Sequence, residues 1–192
     1  MSTAFATRIE QAIEWTGRAL AWLSLAMVLV TFTVVLLRYA FGIGWIAMQE
    51  SVMWMHGVLF MLGLAYALKH DAHVRVDIVY RRLDARGRAW IDLLGTLFLL
   101  LPVSAFIVWS SWRYVGNAWA IGESSREAGG LPGLYLLKTV IPVSAVLLAV
   151  QGLAIVLRSL EFIKNRESQI RSHKSQIRSH KSQIRSHSKG VD

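Results

Sequence analysis

The sequence predicts an all-α membrane protein, with four transmembrane helices and an interfacial amphipathic helix between spans 2 and 3. Three observations carry that prediction. Of the 192 residues, 54% are apolar and eight are tryptophan. Four runs carry no charge: Ala19 to Leu37 (19 residues), Ser51 to Leu68 (18), Leu93 to Trp112 (20) and Thr139 to Leu157 (19). Each is close to the roughly 20 helical residues that cross the hydrocarbon of a bilayer. Four such runs leave too little polar chain to wrap a soluble core. Finally, lysine and arginine gather in alternate connections, as they do in multi-pass chains.

Residues 1–18 are expected to form a helix leading into span 1, which covers about 19–38. Ala40-Phe41-Gly42 has the small-x-small look of a cleavage site. The apolar run before it exceeds the roughly 7 to 15 residues of a secretory signal, so a retained signal anchor is expected. Span 2 covers about 46–68, the amphipathic helix about 73–86, span 3 about 90–112 and span 4 about 134–158. Pro102 and Pro142 should bend spans 3 and 4 or free backbone carbonyls there. Trp15 and Trp90 fall near one boundary, and Trp45, Trp109 and Trp112 near the other.

Basic residues assign the sides. The connection between spans 1 and 2 holds only Arg38, and in the long 3–4 connection Arg113 and Arg126 are offset by Glu123 and Glu127. Lys69, Arg75, Arg81, Arg82, Arg86 and Arg88 crowd the 2–3 connection; Arg8 and Arg18 precede span 1; Arg158, Lys164 and Arg166 follow span 4. Short basic loops stay in the cytoplasm, so both termini are expected there.

Residues 166–192 form a basic tail built on three near-identical heptads, SQIRSHK, SQIRSHK and SQIRSHS. Residues 168–192 hold 6 basic and 1 acidic residue, against 15 and 11 in residues 1–167. One isoleucine per heptad is too little for a coiled-coil seam, so a solvated, disordered tail near anionic lipid is expected. Charge alone could suggest nucleic acid, but no aromatic or fold signature accompanies it. No nucleic-acid partner is expected.

Polar groups at membrane depth are candidate functional residues. Glu50 lies about 27 Å from the end of span 2 at about 1.5 Å per residue, near the outer boundary. It suits a structural carboxylate paired with a neighbour, with direct involvement in ion movement as the competing role. His56 lies deeper, and six residues from Glu50 turn it to another face, so the two do not make a metal pair. As the lone histidine of the four spans it could hold a haem only with a second histidine from elsewhere. Gln151 is the polar residue of span 4. His70 and His73, with Asp77 one turn on, have a spacing that could bind a metal, but interfacial solvation is the commoner fate of such residues. No metal and no cofactor is expected. The chain has no cysteine, which excludes thiolate sites and disulfides. It has no HExxH, GxSxG or phosphate-binding glycine loop, so an enzyme is not expected.

In the 2–3 connection, Val76, Val79, Tyr80 and Leu83 share one helical face, while Asp77, Arg81, Asp84 and Arg88 form acid-to-base pairs four apart on another. A strand from His73 to Ile78 would alternate equally well, but its edges would lie unpaired at a bilayer surface. An interfacial helix follows, with Val76, Val79 and Leu83 as its apolar footing and Arg81 and Arg82 reaching lipid phosphates.

Two blocks carry a family resemblance. WIAMQESVMWMHGVLFMLGLAYALKHDAHVRVDIVY, Trp45 to Tyr80, resembles the region joining spans 2 and 3 in the small membrane subunit (DctQ type) of tripartite ATP-independent periplasmic (TRAP) transporters, through Gln49-Glu50, Gly63 and His73-Val74-Arg75-Val76-Asp77. GESSREAGGLPGLYLLKTVIPVSAVLLAVQGLA, Gly122 to Ala154, is similar to that family's outer loop and fourth span, through Glu123-Ser124, Leu131-Pro132, Lys138, Ile141-Pro142 and Gln151-Gly152. The likeness covers roughly residues 8–165 and is nearest the branch labelled mannitol/chloroaromatic. It implies a location in a bacterial inner membrane, a large multi-span membrane subunit as partner, with the substrate and sodium sites, and a periplasmic binding protein delivering an organic acid. The small subunit would scaffold the moving part of its partner, with no substrate site of its own. Gln49, Glu50, His56, His73, Arg75, Asp77, Lys138 and Gln151 then become candidate structural or partner-interface residues. The competing class is a structural or haem-binding membrane anchor of a redox complex.

Overall fold

The computed structural model describes the backbone of residues 2–72, 80 and 83–188, and the side chains of residues 6–72, 80 and 83–166. Every regular element among these residues is helical: α1 (Ser2–Ala40), α2 (Ile46–Lys69), α3 (Ala85–Gly95), a π-helical turn (Thr96–Leu100), α4 (Leu101–Ala120) and α5 (Leu134–Ser188). α3, the π turn and α4 follow one another without a break, which makes four rods. All four are long and apolar enough to cross a membrane, and each contains one of the four charge-free runs.

The rods end where the backbone is turned. α1 stops at Gly42, whose φ of 65° suits glycine, and the N–H groups of Phe41 and Ile43 both donate to Leu37 O. α2 closes with a Schellman motif around Asp71 (φ 54°): Ala72 N donates to Ala67 O at 2.9 Å and Asp71 N to Leu68 O at 3.3 Å. Short polar side chains tolerate this left-handed geometry better than most. α4 ends the same way around Gly122, with Glu123 N donating to Ala118 O at 3.0 Å. That places Glu123 at the rim of the bundle.

α5 is the centre of the assembly. It packs against α1, α2, α3, the π turn and α4, whereas the α3–α4 rod leans chiefly on α5. Small residues line this seam, including Ser144, Ala145, Ala154 and Ser159 on α5 and Ser104, Ser111 and Ala118 at seven-residue intervals on α4. Without a hydrophobic effect between helices in lipid, close backbone approach of this kind supplies the packing. The buried hydroxyls of Ser111 and Ser144 donate to carbonyls one turn back in their own helices, which spares them an unpaired state.

The expected disturbance at Pro102 takes the form of the π turn. Proline offers no N–H to the Phe98 carbonyl, and a wider turn just ahead of it accommodates the interruption. Gly152 of α5 sits against this turn; a Cβ there would lie 2.7 Å from Leu100 Cδ2 and 3.1 Å from Thr96 Cγ2.

Two boundaries differ from expectation. The helix of span 3 begins at Ala85 because Asp84, extended at φ −67° and ψ 168°, caps it by accepting from Gly87 N at 2.9 Å. Leu83 lies in a bend, so residues 85 and 86 belong to α3 and not to the amphipathic helix. The remainder of that helix, 73–79 with Arg81 and Arg82, lies outside the described residues. At the other end, α5 continues as helix through the repeats to Ser188, where the sequence suggests disorder. No glycine or proline interrupts the chain between Gly152 and Gly190, and Gln, Arg and Lys are good helix formers, so nothing local stops it.

Candidate functional site

Two sets of side chains fasten the bundle, one at each end. At the end carrying the α1–α2 and α4–α5 connections, the loop 121–133 folds over the tips of α2 and α5. The loop neck is closed by Ser125 N donating to Leu131 O at 3.1 Å. Glu50 grips both of these residues: it accepts from the Ser125 hydroxyl through Oε1 and from Leu131 N at 2.7 Å through Oε2. Ser125 Oγ in turn accepts from Glu127 N. Gly130 leaves room for the grip, since a Cβ there would lie 2.7 Å from Glu50 Oε2 and 2.5 Å from Ser125 Oγ.

A second clasp holds the same loop to α5. Lys138 Nζ pairs with Glu123 Oε2 at 2.5 Å, and both side chains are mostly buried. The ammonium also lies 4.2 Å from the centre of the Tyr114 ring on α4, a cation–π contact. One turn away, Trp119 Nε1 donates to Thr139 Oγ1 at 2.9 Å while the Trp119 ring packs on Tyr135 at 4.5 Å. Loop 121–133 is thus joined to α2 and α5 by charge-assisted contacts, the stronger class of hydrogen bond, while Trp119 and Tyr114 join α4 to α5 beside it.

At the opposite end, Glu14 of α1 receives Lys69 Nζ at 2.5 Å and His70 Nε2 at 3.0 Å, with Arg18 Nε at 3.7 Å. The His70 ring packs on Tyr66 at 4.4 Å. Tyr66 in turn fills the space over Gly17, where a Cβ would fall 2.1 Å from a ring carbon. Glu10 pairs with Arg158 of α5. α1 is therefore tied to α2 and α5 just beyond the 19–38 span.

The hydrogen bonds from Lys69 and His70 hold the Glu14 carboxyl well below the usual carboxylate range, at about 2. A carboxylate with a depressed folded-state pKa contributes stability that is full above its unfolded pKa and is lost as pH falls through the folded one. We expect the stability difference between wild type and Glu14→Gln, read from thermal melts in detergent, to be flat from about pH 8 to 5 and to shrink between about pH 4.5 and 2. A difference that vanished already at about pH 6 would contradict this ion pair.

Among the residues singled out in the sequence, Glu50 and Lys138 converge on one loop. Gln151 is buried on α5 beside Gly152 and the π turn, and its Oε1 accepts no hydrogen bond from the described residues. Gln49 and His56 lie on the exposed side of α2, and the His56 ring stacks on Phe60 with centres 6.4 Å apart. Leu83 is half-buried in its bend. His73, Arg75, Val76, Asp77, Val79, Arg81 and Arg82 lie outside the described residues. At the edge of that stretch, the Tyr80 hydroxyl donates to Asp92 Oδ2 at 2.8 Å and the Arg88 guanidinium lies 5.5 Å from the Tyr80 ring, so the chain folds back on α3.

Sequence reasoning did not find Glu10, Glu14, Ser125, Tyr114 or Trp119. The acidic pair at Glu10 and Glu14 was the one available signal, since two carboxylates four apart at the foot of an apolar helix need cationic neighbours. In this arrangement the Glu14 and Glu50 carboxylates each accept from at least two donors, which is the chemistry of a clasp.

A family model described as "Tripartite ATP-independent periplasmic transporters, DctQ component" matches residues 27–162, about 70% of the chain. No curated protein and no solved structure matches it.

Proposed function

The chain belongs to the DctQ component family of tripartite ATP-independent periplasmic transporters, a family of small membrane subunits that work with a large membrane subunit and a periplasmic binding protein, and from that membership we propose that it is a preformed, rigid scaffold for ion-coupled uptake of an organic acid. The large subunit supplies the substrate and ion sites, and the binding protein delivers the substrate. This chain supplies an immobile body against which the large subunit moves.

The observation that carries this reading is the double fastening. Glu50 and Lys138 tie the loop 121–133 to two rods at one end, and Glu14 and Glu10 tie α1 to α2 and α5 at the other. A carrier that opens and closes needs interrupted helices and ionisable groups at its midplane; here Glu10, Glu14, Glu50 and Lys138 sit at the ends, each with a partner. With basic residues retained in the cytoplasm, the Glu50 end faces the periplasm and both termini face the cytoplasm. Residues 73–83 then lie along the inner leaflet, with Val76, Val79 and Leu83 in the hydrocarbon and Arg81 and Arg82 at lipid phosphates, bracing the scaffold against its partner's motion. His73, Arg75 and Asp77 act in that brace as structural or partner-facing groups, and Gln151 acts inside the bundle.

Co-purification tests the reading. When the chain and the large membrane subunit of its transporter are expressed together, a tag on either should recover both, and deleting residues 168–192 should leave recovery unchanged, because the repeats carry one apolar residue per heptad and lie beyond the last span. Recovery of the chain without the large subunit would overturn the scaffold assignment.

A further inference from the structure

The outward side of α2 carries an exposed stripe, Gln49, Met53, His56 and Phe60, spaced by four, three and four residues. Thr31 and Phe32 of α1 wall it on one side, leaving an open cavity of about 720 Å3 between the two helices. The stripe is confined to the first part of α2; from Met61 to Lys69 every residue is at least half-buried. His56 is ten residues from Ile46 and thirteen from Lys69, so it sits about 15 Å and 20 Å from the ends of the helix, near mid-membrane. Among the described residues neither the His56 nor the Gln49 side chain makes a hydrogen bond.

An imidazole facing lipid at that depth is unfavourable, and ionisable groups within spans normally turn inward or meet a partner. In this chain His56 faces outward, whereas the buried residue of α2 is Ala65, on another side of the helix. A neutral imidazole has one donor and one acceptor, and the Gln49 amide adds two donors and one acceptor. The two lie seven residues apart, roughly 10 Å along the helix, which is also the rise of two turns on a facing helix. Met27 and Met53 line the same groove, and their unbranched thioethers adapt to whatever surface they meet.

We propose that the α1–α2 groove is the docking site for a transmembrane helix of the large subunit, one that presents two hydrogen-bonding side chains seven residues apart to Gln49 and His56. This rests on the scaffold reading above. A second copy of the chain is a poorer occupant, because a twofold axis at the stripe would set apolar Met53 and Phe60 of one copy against the polar groups of the other, or imidazole against imidazole.

Photo-crosslinking in the assembled complex tests the groove. With p-benzoylphenylalanine at Met53 or Val28, the large subunit should be captured, whereas the same group at Phe106, on the exposed face of α4, should capture it at least about five-fold less. In parallel, Gln49→Leu with His56→Leu should lower recovery of the large subunit about five-fold or more at equal membrane levels of the chain, while His56→Asn keeps more than about half. Capture of a second copy, capture at Phe106 alone, or unchanged recovery with the double leucine variant would each overturn the proposal. If the wild-type pair still co-purifies in those cases, the scaffold reading survives and only the groove assignment fails.

Discussion

Glu50→Leu should release the loop 121–133 and reduce assembly with the large subunit more than any other single change at that end. The substitution removes both acceptors at once, leaving the Leu131 N–H and the Ser125 hydroxyl without their partner in a half-buried site. Each donor left unpaired costs about 1 to 3 kcal/mol, so a loss of about 3 kcal/mol is expected. Glu50→Gln discriminates between a clasp and an ion carrier. Its amide oxygen can still accept from Leu131 N, and its NH2 can donate to Ser125 Oγ, because a serine hydroxyl both donates and accepts. About 1 kcal/mol should be lost, with most assembly and transport retained. Limited proteolysis within residues 123–130 reports the loop directly: the leucine variant should be cut about ten-fold faster than wild type and the glutamine variant nearly as slowly. Normal proteolysis and assembly in both variants, with transport gone, would make Glu50 part of ion movement instead.

Gly17→Leu should have the other large effect, at the opposite end. Gly17 lies within α1, where replacing glycine ordinarily gains about 1 kcal/mol of helix propensity. Against that gain stands the Tyr66 ring, with three carbons between 2.1 and 2.7 Å of the position a Cβ would take. An aromatic ring packed on His70 yields little, and overpacking of this kind typically costs about 1 to 3 kcal/mol. A leucine adds three more carbons to the clash, so the steric term wins. Moving Tyr66 also disturbs the His70 contact with Glu14, so the α1–α2 fastening should loosen together with the packing. The expected result is a lowered melting temperature in detergent, with a smaller drop for Gly17→Ala. An unchanged melt for Gly17→Leu would mean that α1 and α2 do not meet as described.

The four spans were legible in the sequence because hydrocarbon imposes a rule on composition that needs no knowledge of tertiary contacts: backbone groups must pair within the helix and charge must stay out. Pro102 likewise announced its local disturbance, although nothing in the sequence said that the disturbance would be a π turn seated on Gly152. The fastenings were legible only in half. Glu50 and Lys138 were conspicuous as polar groups close to apolar runs, but their partners are a serine hydroxyl and a backbone N–H in a loop about 80 residues from Glu50 and a glutamate 15 residues from Lys138. Such pairings depend on how the loop folds, which has no periodicity to read. Glu14 was missed because residues 1–18 read as a lead-in to span 1, and its partners follow span 2. The central position of α5 was equally hidden. Four amphipathically featureless helices can be arranged in several ways, and the choice made here rests on small residues, such as Ser104, Ser111, Ala145 and Ala154, that look unremarkable in an apolar run.

A scaffold that is fastened at both ends should keep one shape whatever its partner does, and paired spin labels measure that shape most directly. The chain has no cysteine, so two introduced ones suffice. One pair at Tyr39 and Arg126 spans the Glu50 end, and another at Trp15 and Leu160 spans the Glu14 end; all four positions are exposed. Distances should be measured by electron–electron double resonance in the isolated chain, then in the assembled transporter under inward and outward gradients of the coupling ion. Single distributions are expected, with means that stay within about 2 Å across all conditions, since packed, paired rods do not deform continuously. A shift of about 5 Å or more, or a second population that grows with the gradient, would contradict the rigid scaffold and make the small subunit a moving part.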